Sequence, residues 1–138
     1  SYVLPFGEAA VIGDGEDCCI VAFGSMVERA KQAAELLARE GIAVTIVDPR
    51  TIAPLDTDTI VESIVACGRL VVVDEASPVC GMASEIAALA ATECPRALKA
   101  PVQKVTPPAA PIPFSPALEQ AYLPSVEAIV MAVKKTLQ

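Results

Sequence analysis

The sequence predicts an α/β fold: a three-layer sandwich in which helices cover both faces of a mostly parallel sheet, four to five strands wide. Three observations carry that reading. Short apolar runs rich in Val and Ile alternate with longer stretches whose apolar residues recur at helical spacing. The runs are continuous rather than alternating in and out, which suits strands buried on both faces, the usual state of a parallel sheet. Composition agrees, because 54% of the residues are hydrophobic but only 4% are aromatic, leaving Ala, Val, Leu and Ile to pack helices on a sheet. At 138 residues the chain is the size of one domain, able to bury ~70% of the surface its unfolded form would expose.

Ser1 to Gly7 lacks an initiator Met and starts in extended apolar material, so residues 1–138 are expected to form a single domain excised from a longer chain. Glu8 to Ile12, followed by the turn Gly13-Asp14-Gly15-Glu16-Asp17, predicts a short strand doubling back against the first core strand. That core strand is Cys18 to Phe23, ended by Gly24. Ser25 is expected to cap a helix from Met26 to Glu40 with Val27, Ala30, Ala34, Leu37 and Ala38 inward, and Gly41 to end it. Ala43 to Asp48 is β-branched and stops at Pro49, a second core strand. After the loop 49–55, Asp56 can cap a helix to about Ala66 with Ile60, Ile64 and Val65 inward and Gly68 beyond its end. Arg69 to Asp74 is the third core strand, and Gly81 opens a helix to about Glu93 with Ile86, Leu89 and Ala90 inward, stopped by Pro95. Pro101 to Thr106 reads as an edge strand, because proline cannot donate to a ladder. Ser125 caps a last helix through Leu137.

Residues 107–124 form a Pro-rich surface segment. Pro107, Pro108, Pro111, Pro113, Pro116 and Pro124 lie beside Ile112, Phe114, Leu118, Tyr122 and Leu123. Proline fixes φ and removes a backbone donor, so the stretch to Pro116 is expected to run extended on the surface, stiff where a Gly/Ser linker would be flexible. Phe114, Ser115, Pro116, Leu118, Tyr122 and Leu123 are the candidate interface residues, offering apolar anchors at low entropic cost. The alternative is a loop that covers the core of its own domain.

Charge and chemistry narrow the function. A net charge of −7 repels phosphate backbones and argues against nucleic acid. No apolar run approaches the ~20 residues of a membrane helix, so a soluble intracellular protein is expected. There is no His, which removes Ser-His-Asp and Cys-His catalysis and the imidazole ligands of a typical zinc site. The five cysteines make no CxxC pair and are expected to be small buried thiols, Cys80 excepted because it precedes a helix. Asp74 and Glu75 end a core strand on the ligand-binding side of such sheets, but adjacent strand residues point to opposite faces, so capping or ion pairing is their expected work. Gly24-Ser25 could hold a phosphate at a helix start, although neither GxGxxG nor a P-loop is present. Arg50 could bind an anion, its commoner role being to pair with a carboxylate. No catalytic, cofactor-binding or metal-binding residue is therefore assigned.

Four stretches taken in order carry a family resemblance: 21–26 (VAFGSM), 47–56 (VDPRTIAPLD), 68–76 (GRLVVVDEA) and 111–119 (PIPFSPALE). Together they resemble the C-terminal, transketolase C-terminal-like domain of the β subunit of thiamine-diphosphate-dependent 2-oxo acid dehydrogenases, the E1 component, of the pyruvate and branched-chain type. The resemblance implies that thiamine diphosphate and magnesium belong to the parent enzyme and lie outside this chain. It implies a non-catalytic assembly domain that contacts the E1 α subunit and a second E1 β subunit and helps dock the peripheral-subunit-binding domain of E2, in the cytoplasm or, in a eukaryote, the mitochondrial matrix. Family members often carry His where Asp74 stands, and a glycine-rich patch in place of 77–81, so the subfamily and the particular 2-oxo acid stay open. Two other readings remain: a small-molecule or anion-binding regulatory module built on Gly24, Ser25 and Arg50, and the equivalent domain of transketolase or deoxyxylulose-phosphate synthase.

Overall fold

A computed structural model describes residues 2–138, so Ser1 of the expected extended start lies outside the described residues. The strands are β1 (Ala10–Ile12), β2 (Cys18–Ala22), β3 (Val44–Asp48), β4 (Leu70–Val73) and β5 (Gln103–Val105), and the helices are α1 (Met26–Arg39), α2 (Thr57–Cys67), α3 (Met82–Glu93), α4 (Pro116–Tyr122) and α5 (Val126–Thr136). They build one five-stranded sheet in the order β1-β3-β2-β4-β5, parallel except for β1.

The period-2 pleat explains why the strands are apolar throughout. Cys18, Ile20 and Ala22 of β2, with Val71 and Val73 of β4, join one core layer beneath α1 and α5, while Cys19, Val21, Leu70 and Val72 join the other beneath α2 and α3. Ile20 stands opposite both Ile46 and Val71, so the centre of the sheet is a row of β-branched side chains. Asp56 caps α2 by accepting from the Thr59 N–H, Gly68 closes it at φ 73°, and Ser125 caps α5 through the Ala128 N–H.

Several expectations need correction. β1 pairs with β3, antiparallel, with Ile12 opposite Ile46, and not with the first core strand, whose two neighbours are β3 and β4. The 13–17 turn does not close a hairpin; it passes over the start of β3. There Asp17 exchanges hydrogen bonds with Ala43, giving its N–H to the carbonyl (2.9 Å) and accepting from the amide on Oδ2 (2.7 Å), and Thr45 donates to the Gly15 carbonyl. Gly15 is required there, because a Cβ would sit 2.2 Å from the Ala43 carbonyl carbon. In α1 the buried positions are Met26, Val27, Ala30, Ala33 and Leu37, and Ala38 is exposed. In α2 Cys67 takes the inward place expected of Val65, which is exposed. Ser25 makes no capping bond: its hydroxyl is turned to donate to Glu75, and the Met26 and Val27 amides donate to the Phe23 and Gly24 carbonyls.

Candidate functional site

The chain leaves β2 toward one face of the sheet, into α1, and leaves the neighbouring strands β3 and β4 toward the other, into α2 and α3. That reversal opens a crevice at the carboxyl ends of the strands. A cleft of about 600 Å³ lies there, lined by Phe23 and Gly24 after β2, Asp48, Arg50, Thr51 and Ile52 from β3 and its loop, and Asp74, Glu75 and Ala76 after β4. Its carboxylates are already engaged. Asp74, 4% exposed, accepts from the Ala76 N–H on Oδ1 (3.1 Å) and from the Ala83 N–H on Oδ2 (3.3 Å), which ties β4 to the start of α3. Glu75 accepts from the Ser25 hydroxyl at 2.8 Å, and Asp48 accepts from the Arg50 N–H at 3.0 Å. The pair expected to cap or form ion pairs therefore does accept hydrogen bonds, each residue on its own side.

Arg50 does not take the expected carboxylate partner: among the described residues the ion pairs are Lys31–Glu28 and Lys134–Glu40. It occupies the left-handed region at φ 59°, as Gly24 does at φ 55°. A phosphate on Gly24-Ser25 would meet amides already used, since Met26 N–H donates to the Phe23 carbonyl and Val27 N–H to the Gly24 carbonyl. It would also meet Glu75, whose Oε1 lies 3.6 Å from where a Gly24 Cβ would stand. Asp48, Asp74 and Glu75 outnumber Arg50, so the cleft repels anions. The diphosphate of thiamine diphosphate does not fit these residues, and among the described residues no three acidic side chains come together closely enough to hold a magnesium ion.

The candidate interface residues form a different feature. Residues 107–115 have no regular structure, and the chain then turns into α4, a helix the sequence reading did not anticipate. Pro116 opens it, a tolerated position because the first helical N–H has no partner to lose. Phe114 is 103% exposed, Ile112 73% and Leu118 61%, and no residue of α4 is buried. Ser115 and Pro116 are also exposed, whereas Tyr122 and Leu123 are half-buried at the base of the arm. The Tyr122 hydroxyl donates to the Ala110 carbonyl at 3.2 Å, tying the two limbs together. Phe114 covers nothing in its own domain. Arg29 was missed by the sequence reading: from α1 it donates to the Pro124 carbonyl and, at 3.2 Å, to Oε1 of Gln120. No local pattern signals a contact between residues more than ninety apart in sequence.

Of the cysteines, Cys18, Cys19, Cys67 and Cys94 are buried and free, and Cys80 is exposed. Burial pushes the Cys18 thiol up to about 12 and raises Cys19, Cys67 and Cys94 as well. These four are core side chains, not nucleophiles.

The family profile described as "Transketolase, C-terminal domain" matches residues 7–129. The chain belongs to the transketolase C-terminal domain family. As such a domain it is 52% identical, over its whole length, to the β subunit of acetoin:2,6-dichlorophenolindophenol oxidoreductase of Cupriavidus necator, covering 41% of that protein. Over 132 residues, 96% of this chain, it is 41% identical to the pyruvate dehydrogenase E1 β subunit of Rickettsia bellii, again covering 41% of the relative. Among solved structures, an inactive β4 tetramer of a split-gene transketolase superimposes with a TM-score of 0.84 at 34% identity, covering 97% of this transketolase C-terminal domain and 42% of that chain. The chain thus spans about two fifths of the length of the curated relatives it matches. No helix among the described residues is long and apolar enough to cross a membrane.

Proposed function

We propose that this chain is the assembly domain of an E1-type β subunit. Its parent enzyme cleaves its substrate oxidatively with thiamine diphosphate and magnesium held by other parts of the assembly, and passes the acyl group to lipoamide on E2. The observation that carries the reading is the Pro-stiffened arm with Phe114 at full exposure, alongside a cleft whose carboxylates are already hydrogen-bonded. An aromatic ring left in water on a stiff backbone is an anchor waiting for a pocket, since little entropy is lost when it docks. Ile112 and Leu118 extend the apolar contact, Ser115 and Pro116 join them, and Tyr122 and Leu123 form its base. The surfaces it meets are those of the E1 α subunit and a second β subunit. The net charge of −7 suits a basic docking module such as the peripheral-subunit-binding domain of E2.

Phe114→Ala in the full-length β subunit tests this by sedimentation with the α partner. Truncating a buried aromatic anchor is expected to weaken assembly by ~2 kcal/mol, about thirtyfold in Kd. Unchanged assembly at nanomolar concentration would refute the docking role.

A specific observation favours acetoin as the parent's substrate within this reading, because the identity to the acetoin-oxidising relative is 52% against 41% for the pyruvate dehydrogenase subunit. Comparing kcat/KM for acetoin and pyruvate in the assembled enzyme decides it; a preference for pyruvate would overturn the assignment.

A further inference from the structure

The arm lacks a core of its own. Helix α4 has seven residues and buries none of them, and a helix that short has no stability in water by itself. Something outside it must hold its shape. Proline at its first position sets φ there, and the Tyr122 hydroxyl joins the two limbs through the Ala110 carbonyl, but both act within the segment. The side-chain hydrogen bonds that fasten α4 and Pro124, two residues beyond its end, to the folded body come from Arg29. Arg29 sits on α1, between the buried residues Val27 and Ala30, so its Cα is fixed by the main core.

We propose that Arg29 is the positioning residue of the docking arm: its guanidinium pins the end of α4 and the start of α5 to α1, and so presents Phe114 in the orientation that assembly requires. This rests on the assembly role argued above and adds the device that shapes the surface. The chemistry asks for arginine in particular. One planar group must donate in two directions at once, from Nη1 to the Pro124 carbonyl and from Nη2 to Oε1 of Gln120. A lysine ammonium is a single point on a flexible stem and does not reproduce that fork. Pro124 is buried and leads directly into Ser125, the cap of α5, so the contact sits where the coreless arm joins the packed body of the domain. The expectation is preorganisation: without Arg29 the arm samples many shapes, and docking must select one of them.

The test uses the full-length β subunit carrying Arg29→Met, which keeps the stem but removes the donors, Arg29→Lys, which keeps the charge, and Phe114→Ala. Hydrogen exchange is measured on each subunit purified without its α partner, and assembly affinity by sedimentation with it. Arg29→Met should speed exchange of the amides in 116–123 about tenfold or more, leave those of β2 and β4 unchanged, and weaken assembly about tenfold. Arg29→Lys should fall between Met and wild type. Phe114→Ala should cost less in the Arg29→Met background than alone, because the two act through one surface. Exchange that is unchanged in 116–123, or that rises equally through the sheet, overturns the positioning role. So does an assembly defect in Phe114→Ala with none in Arg29→Met, whereas no defect in either removes the assembly role itself.

Discussion

Replacing Asp56 by Ala should cost about 2 kcal/mol, and the figure can be worked from three hydrogen bonds. Oδ1 accepts from the Thr59 N–H at 3.1 Å, which is the cap of α2, and Oδ2 accepts from the Thr59 hydroxyl at 2.7 Å and from the Ala9 N–H at 2.8 Å. Loss of an aspartate cap costs ~1 kcal/mol. The bond to Ala9 holds the segment entering β1 against α2, and losing a charged acceptor there adds ~1 kcal/mol. With a urea m-value of ~2 kcal/mol/M for a domain of this size, the midpoint should fall by about 1 M. The same bonds set the pH dependence. The Ala9 N–H first, and then the Thr59 hydroxyl and amide, hold the Asp56 carboxyl below the ordinary aspartate value of 3.8. A depressed carboxylate contributes stability that is present above the unfolded pKa and lost as pH falls through the folded one. The gap between wild type and Asp56→Ala should therefore be full at pH 7 and close progressively below about pH 4. Asp56→Asn is a sharper probe, because Asn can still cap through Oδ1 but turns an amide donor toward the Ala9 N–H and the Thr59 hydroxyl. A midpoint change under about 0.3 M for Asp56→Ala, or a gap as wide in strong acid as at neutrality, would refute the reasoning.

Gly15→Ala should lose ~2 kcal/mol or more in the same urea assay, since its Cβ would lie 2.2 Å from the Ala43 carbonyl carbon and 2.3 Å from the Val44 nitrogen, backbone atoms that cannot swing aside. Titrating the native chain with a thiol reagent at pH 8 should label Cys80 quickly and Cys18, Cys19, Cys67 and Cys94 only in denaturant, and Cys80→Ser should abolish the fast phase.

The core was legible in the sequence because one physical signal, apolar periodicity, decides it. Continuous runs such as Leu70–Val73 are apolar because both faces of the strand are covered, and the Asp56 and Ser125 caps follow from side chains acting within one turn. Reading failed where a choice depended on distant chain. Gly13–Asp17 has the composition of a hairpin turn, yet pairing of β1 with β2 is blocked by β3 and β4, which arrive later and take both sides of β2. Ser25 has the chemistry of a cap, but its hydroxyl turns to a carboxylate fifty residues away, and the Met26 and Val27 amides donate to the Phe23 and Gly24 carbonyls.

The arm shows the same division within one segment. Its stiffness and apolar character follow from six prolines and Phe114 and could be read directly. Whether such a segment covers its own domain or faces outward is not a local property, because both outcomes use the same residues. The answer lies in the rest of the molecule: both faces of the sheet are already covered by α1 with α5 and by α2 with α3, so no part of the sheet core is left for Phe114 to seal. A core that is complete without the arm leaves the arm free to serve a neighbour. That predicts a separation seldom seen for an aromatic residue: Phe114→Ala should leave the chain's own stability within about 0.5 kcal/mol of wild type while weakening subunit assembly. A matching loss in both measurements would mean that the ring packs inward after all.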